Sequence, residues 1–319
     1  MEPNQSRSIC SRTLQRALLS LFLLFSLVGI ISCEGKKSET SASKTNSPPV
    51  ITSVTISPEK PTIGSDLSLS VQSSHPEGNP ITYQFQWIRN DEEIVGENQP
   101  SLGKGTLRKG DLIRVRVTPS DGKVTGEPFL SSPVKIHNAP PVIQEVWIEP
   151  KVAYVTDNLK AIVKASDLEG DFIYYNYQWE KNGSILSDEK KEILEKGRFK
   201  KGDSIVVSVT PDDREALGTP KRSEPLLISN SPPQIVSSPP TSVEKSEYIY
   251  QVKVNDPDDD PVTFTLKSGP QGMEIDKKTG LIKWAIRKED KGNHSVEIEV
   301  SDTEGAKSKQ RYTLGIDFK

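Results

Sequence analysis

The chain has 319 residues, 33% of them hydrophobic and only 6% aromatic, with 21 glycines and 24 prolines. So much Pro and Gly beside so few large apolar side chains excludes a single large helical core and points to several small β domains. Against 44 Asp and Glu, 41 Lys and Arg leave a formal charge of −3, too acidic for the clustered basic face that nucleic-acid binding demands.

At the start of the chain, Arg7, Arg12 and Arg16 form a basic stretch, followed by an apolar run from Ala17 to Ile31 interrupted only by Ser20, Ser26 and Gly29. Its length and flanks read as an export signal, not a membrane-spanning helix. The closing Ile30-Ile31-Ser32-Cys33 resembles the lipobox of bacterial lipoproteins. That resemblance implies removal of residues 1–32, diacylation of Cys33 and anchoring to a membrane through the lipid. Glu34, where Asp would resemble an inner-membrane retention signal, leans toward the outer membrane. Cys10 leaves with the signal and Cys33 carries lipid, so no cysteine pair remains and no disulfide is expected.

Residues 33–47 are polar and aperiodic, a flexible tether with a coil reach of about 20 Å. Ser47-Pro48-Pro49 then opens a domain, and the same punctuation returns as Ala139-Pro140-Pro141 and Ser231-Pro232-Pro233, each 92 residues on. Paired prolines cannot join a central β ladder, so they mark linkers and give three repeats, 48–138, 139–230 and 231–319. The first two align without a net gap. Pro58 falls on Pro150, Tyr83 on Tyr175, Gln86-Trp87 on Gln178-Trp179, Lys109-Gly110-Asp111 on Lys201-Gly202-Asp203, and Thr118-Pro119 on Thr210-Pro211.

In repeat two, alternation of period two predicts strands over Val142 to Ile148, Leu159 to Ala165, Ile173 to Trp179, Ile205 to Val209 and Leu226 to Ile228. Repeat one shows the same runs. Short strands spaced this way over some 90 residues read as β-sandwiches, with Trp87 and Trp179 where an immunoglobulin-like strand buries its large aromatic. The fold class expected is all-β, three tandem Ig-like sandwiches, on the order of 100 Å end to end.

Repeat three begins alike, with Val252 to Phe264 read as an alternating strand, an acidic loop and a second strand, and then diverges; its later strands are expected at Val296 to Val300 and Tyr312 to Ile316. Its Asp256-Pro257-Asp258-x-Asp260-Pro261, Pro270-x-Gly272-Met273-x-Ile275-Asp276 and Thr279-Gly280-x-Ile282-x-Trp284 resemble the bacterial putative-Ig, dystroglycan-type cadherin-like family. Repeats one and two lack the Thr-Gly-x-Ile-x-Trp segment and resemble the broader Ig-like and PKD-like group. The cadherin-like resemblance implies that calcium would cross-link loop to linker and stiffen a rod.

The acidic loops are the one constellation with site chemistry. Asp256, Asp258 and Asp260 crowd negative charge into one turn, which costs free energy unless a cation or solvent screens it. Calcium takes about 6–8 oxygens and tolerates irregular geometry, and the sandwich topology brings Asp302 toward the triplet. Repeat two offers Asp167, Glu169 and Asp171, with Asp212 or Asp213 opposite. Repeat one offers only His75, Glu77 and Asn79 with Asp121, too few carboxylates for calcium. The competing reading is that Asp, Pro and Gly simply make exposed turns.

Nothing in the sequence forms a nucleophile elbow, a phosphate-binding Gly-rich loop or a His-rich metal spacing, so no catalytic residue is assigned. His75 reads as a loop residue, and His137 and His294 as surface or edge residues. Asn182-Gly183-Ser184 and Asn293-His294-Ser295 read as turns, and the mixed charges of residues 189–201 as a solvated face. Trp147, where repeat one has Thr55, reads as core, linker packing or an exposed contact aromatic. These features together predict a non-enzymatic, lipid-anchored envelope protein that binds protein or polysaccharide. The alternatives are a structural spacer within an envelope complex and an accessory module of a secreted enzyme system.

Overall fold

The computed structural model describes residues 45–240, 242–243 and 246–317. The signal segment and Cys33 lie outside them. Among the described residues no helix is long and apolar enough to cross a membrane, and the sole helical element is the single turn Lys288–Asp290.

Every other element is a strand, and the sheets fall into three groups along the chain. In the first, Val50–Ser57, Leu67–Ser74 and Ser101–Leu102 form one sheet, facing a second in the order Glu92–Glu93, Thr82–Arg89, Leu112–Ser120, Phe129–Leu130. The strand Val134–Lys135 extends the second sheet along Leu112–Ser120. Alternation explains the pairing of layers, since Ile113, Val115 and Val117 point inward and are fully buried. Each such side chain contributes about 1.5–3 kcal/mol of burial.

The second group repeats this arrangement. Val142–Glu149, Leu159–Ser166 and Ile193–Leu194 face Ser184–Leu186, Tyr174–Lys181, Ser204–Asp212 and Lys221–Arg222. Registers match as well: Trp87 pairs with Val115 and Trp179 with Val207. Both Trp side chains are fully buried, each donating its indole N–H to a loop carbonyl, Gln99 at 3.0 Å and Lys191 at 2.9 Å. Asn182 (φ 50°) and Gly183 (φ 78°) make a two-residue hairpin loop of the primed kind between Lys181 and Ser184.

The paired prolines have a docking place. A Cβ on Gly126 would stand 2.1 Å from the Pro49 carbonyl oxygen, and one on Gly218 2.0 Å from that of Pro141. Only glycine leaves room for the linker to lie against these turns.

In the third group, Ser242–Val243, Lys307–Ile316, Gly292–Asp302 and Val262–Ser268 form one sheet and Glu247–Gln251, Leu281–Ala285 and Glu274–Ile275 another. Trp284 is buried between them and bonds the Gln271 carbonyl at 3.0 Å. Two details differ from the sequence reading. The strand read from Val252 starts only at Val254: Glu247–Gln251 pairs with Leu281–Ala285, and after a break at Val252 and Lys253, Val254–Asn255 pairs with Gln234–Ile235. The last two strands are longer than their apolar centres, because Lys307, Lys309 and Arg311 face Glu297 and Glu299 in a cross-strand ladder of ion pairs. His294 therefore lies within a strand, its ring edge-on to Trp284 at 5.1 Å and its Nε2 2.7 Å from the Asp290 carbonyl oxygen.

Candidate functional site

Two loops at the entry end of each sandwich clasp the incoming linker. In the first loop an Asp shapes the turn. Asp167 Oδ1 accepts the backbone N–H of Glu169 (2.9 Å) and Asp171 (3.0 Å), and Asp256 Oδ1 accepts those of Asp258 (2.9 Å) and Asp260 (3.1 Å). In the second loop Asp213 Oδ1 accepts from Glu215 and Ala216, and Asp302 Oδ1 from Glu304 and Ala306. The second oxygen of each then reaches the linker: Asn138 donates to Asp213 at 2.6 Å and Asn230 to Asp302 at 2.7 Å. The first loop holds the next residue, Glu169 accepting from Ala139 N at 3.0 Å and Asp258 from Ser231 N at 2.5 Å.

A lysine of the preceding sandwich completes each joint. Lys109 Nζ lies 2.9 Å from Asp171 and 2.8 Å from Glu215, and Lys201 Nζ 2.5 Å from both Asp260 and Glu304. These carboxylates raise both lysine pKa values, led by Glu215 for Lys109 and by Asp260 for Lys201. Burial opposes the charge on Asp213 and Asp302, but the linker Asn and the loop amides outweigh it and hold both carboxyls below their usual range. Between the first two sandwiches there is also an apolar contact, Leu168 lying so near Gly64 that a Cβ there would be 2.9 Å from its Cδ1.

The first sandwich builds the same clasp with less charge. Asn46 donates to Asp121 at 2.6 Å and Ser47 Oγ to Glu77 at 2.7 Å. His75 stands where the other loops have Asp167 and Asp256; its buried ring accepts from Glu77 N and lies 3.2 Å from Asp121. Asn79 replaces Asp171 and Asp260 and donates to Asn46 at 3.0 Å. Asp121 is held well below the usual carboxylate range, first by the Val124 amide and then by Asn46.

Of the carboxylates singled out in the sequence, Asp256, Asp258 and Asp260 converge, with oxygens all within 4.8 Å of one another. Asp302 shares their joint, but its two oxygens are occupied by Asn230 and by the Glu304 and Ala306 amides. Asp167, Glu169, Asp171 and Asp213 occupy the corresponding places one joint earlier and form no such triad among the described residues. Buried oxygens without a hydrogen-bond partner among the described residues mark both joints: Asp256 Oδ2, Asp258 Oδ1, Asn230 Oδ1 and Ser231 Oγ at the later one, Asp167 Oδ2 and Glu169 Oε2 at the earlier.

Sequence reasoning missed the linker asparagines and the bridging lysines. Their signals were present: an Asn stands just before each Ser/Ala-Pro-Pro, and Lys-Gly-Asp recurs at 109 and 201. Away from the joints, half-buried Trp147 donates to Glu149 at 3.0 Å and lines an open groove of about 540 Å³ with Glu145, Lys151, Lys221, Arg222 and Glu224. Phe172, largely exposed, packs edge-on to Tyr174 at 4.9 Å, over which Arg214 stacks at 3.8 Å.

No curated protein matches the sequence. Among solved structures the chain is similar to Sidekick-1 immunoglobulin domains 1–5, at 14% identity over 87% of this chain and 60% of that one, with a TM-score of 0.33. It is also similar to the three N-terminal domains of the bacteriophage RB49 Highly Immunogenic Outer Capsid protein (14% identity, 85% of this chain, 99% of that one, TM-score 0.25). A third is Drosophila OTK, extracellular domains 3–5 (11% identity, 85% and 99%, TM-score 0.29). The chain spans 60% of the length of the Sidekick-1 structure. The third sandwich itself is matched by a family model: residues 228–317 are similar to the family described as Putative Ig domain.

Proposed function

We propose that the chain is a non-enzymatic arm of the bacterial envelope, fixed to a membrane by lipid on Cys33, whose sandwiches are held end to end as a spacer. One observation carries this reading: the same clasp, linker Asn on a buried Asp and linker N–H on a neighbouring carboxylate, recurs at Asn138 and at Asn230. A joint closed by several directional bonds adds resistance to bending beyond that of the semi-rigid Pro-Pro linker.

Calcium fits the later joint. Four buried oxygens there lack donors among the described residues, and burying unpartnered carboxylate oxygens is costly unless a cation meets them. Asp256, Asp258, Asn230 and Ser231 would hold it, with the charge of Asp260 beside them. The earlier joint, with Asp167 and Glu169 alone in that condition, is the weaker candidate.

Binding of protein or polysaccharide is the second reading, favoured by the Trp147 groove. Repeat one has Thr55, Phe129, Leu130 and Ser132 where repeat two places Trp147, Lys221, Arg222 and Glu224, so the groove belongs to the second copy alone. An aromatic face ringed by charged hydrogen-bonding groups suits a polar ligand with an apolar side.

The anchoring is tested by labelling cells with a fatty-acid analogue. The parent chain takes up label and sediments with membranes, and Cys33→Ala does neither; equal labelling of the variant would remove the anchor from the reading. Small-angle scattering of the chain freed of lipid tests the arm. A maximum dimension on the order of 100 Å supports a spacer built from sandwiches of this strand length.

A further inference from the structure

We propose that Lys109 and Lys201 are tethered cations, each taking the place of one metal ion at the joint it enters, so that the sandwiches stay aligned without metal. This rests on the reading of the joints as stiff; at the later joint the lysine meets Asp260, next to the unpartnered oxygens of Asp256 and Asp258.

Each lysine belongs to the Lys-Gly turn at the exit end of one sandwich, and each ammonium sits between the two entry loops of the next. Lys109 meets Asp171 from the first loop and Glu215 from the second, and also lies 3.2 Å from Asn138 Oδ1 in the linker. Lys201 meets Asp260 and Glu304 in the same way. One positive charge thus ties two loops of one sandwich to a turn of another, which is what a bridging metal would do there.

The acceptors follow the lysine. The first sandwich keeps the clasp on its linker, yet the two positions that would receive an ammonium are Asn79 and Lys123, where the later sandwiches have Asp171 with Glu215 and Asp260 with Glu304. Lys123 would repel a lysine; the carboxylates are present where one arrives. The equivalent lysine of the third sandwich, Lys291 before Gly292, meets no entry loop among the described residues: it is 63% exposed and pairs with Asp317 at 3.0 Å, whereas Lys201 is 23% exposed.

Covalent attachment gives the ammonium a high local concentration that does not vary with the calcium around the protein. It brings one charge and three N–H donors, enough for two carboxylates and a carbonyl. The pairs with Asp171, Glu215 and Glu304 are open enough to solvent to add little to the stability of either sandwich, so the effect to read is alignment.

The test uses the full chain with Cys10→Ser and Cys33→Ser, carrying nitroxide labels at Ser184→Cys and Ser268→Cys in the second and third sandwiches. Distances are read by pulsed electron resonance in excess chelator. A narrow distribution in this parent, lost in Lys201→Met and in the double variant Asp260→Asn, Glu304→Gln, with the melting of each sandwich unchanged, is the expected result. Two outcomes overturn the proposal: a narrow distribution that survives Lys201→Met, or a broad distribution in the parent that only added calcium narrows. Because the expected result is obtained in chelator, a failure of the calcium reading leaves this inference standing.

Discussion

Asn230 and Asp302 are joined by a 2.7 Å hydrogen bond that ties the last residue of the second sandwich's exit to a buried carboxylate of the third. The Asp is only 6% exposed, so it cannot replace this donor with bulk water. Replacing Asn230 by Ala should lower the stability of the third sandwich by about 1–3 kcal/mol, the cost of leaving a buried acceptor unmet. Urea unfolding of the parent and variant chains, followed by Trp fluorescence, measures it. Asn138→Ala should do the same to the second sandwich through Asp213.

Acid should loosen every clasp. Asp121, Asp213 and Asp302 all have folded pKa values depressed below the ordinary 3.8. A depressed carboxylate contributes stability that is fully present above its unfolded pKa and lost as pH falls through the folded one. The urea midpoint should therefore be flat from about pH 7 to pH 5 and fall steeply below about pH 4. Asp302→Asn should be less stable at neutral pH and show a shallower fall for the third sandwich; an unchanged slope would mean that this carboxyl does not govern the acid limb.

The turn glycines should resist even one methyl. Gly126→Ala or Gly218→Ala pushes a Cβ into a Pro carbonyl, at 2.1 and 2.0 Å, and should cost about 1–3 kcal/mol by overpacking. Gly103→Ala, with nothing within 4 Å and no positive φ, serves as the neutral control. Equal melting temperatures for Gly218→Ala and Gly103→Ala would show that the linker does not lie against the turn.

Trp179 and Trp147 should behave oppositely. Trp179→Ala empties the centre of a core and should cost about 3–5 kcal/mol. Trp147, half-buried at the groove, should change stability far less on replacement by Ala, and any loss of affinity for a polysaccharide or peptide in a binding screen would locate the ligand there.

Much of this architecture could be read in the sequence because it is written locally. Alternation in residues such as Ile113, Val115 and Val117 reports a half-buried strand, and the pair Trp87 and Trp179 reports the layer that buries it. The acidic loops were legible as clusters for the same reason. What escaped was relational. Lys109 and Lys201 look like ordinary turn residues within their own repeats, and their meaning lies in the next repeat, whose Asp171, Glu215, Asp260 and Glu304 are remote in sequence. The broken strand at Val252 was hidden because alternation continues through a switch of sheet.

Calcium can be tested without disturbing the turn that would hold it. Asp256 divides its labour: Oδ1 accepts the Asp258 and Asp260 amides, while Oδ2 is buried without a partner. In Asp256→Asn the side-chain carbonyl can keep the two amide bonds, and a donor replaces the oxygen that would meet the metal. The full chain titrated with calcium in a calorimeter should give saturable heat, with the third sandwich melting higher as mass action requires, by about 2.7 kcal/mol at a hundredfold excess over Kd. Asp256→Asn should keep its melting temperature without calcium and lose both the heat and the shift. Heat retained in the variant would place the ion elsewhere. Its absence from the parent would leave Asp256, Asp258 and Asp260 as a turn held by backbone amides and by the pairing of Asp260 with Lys201.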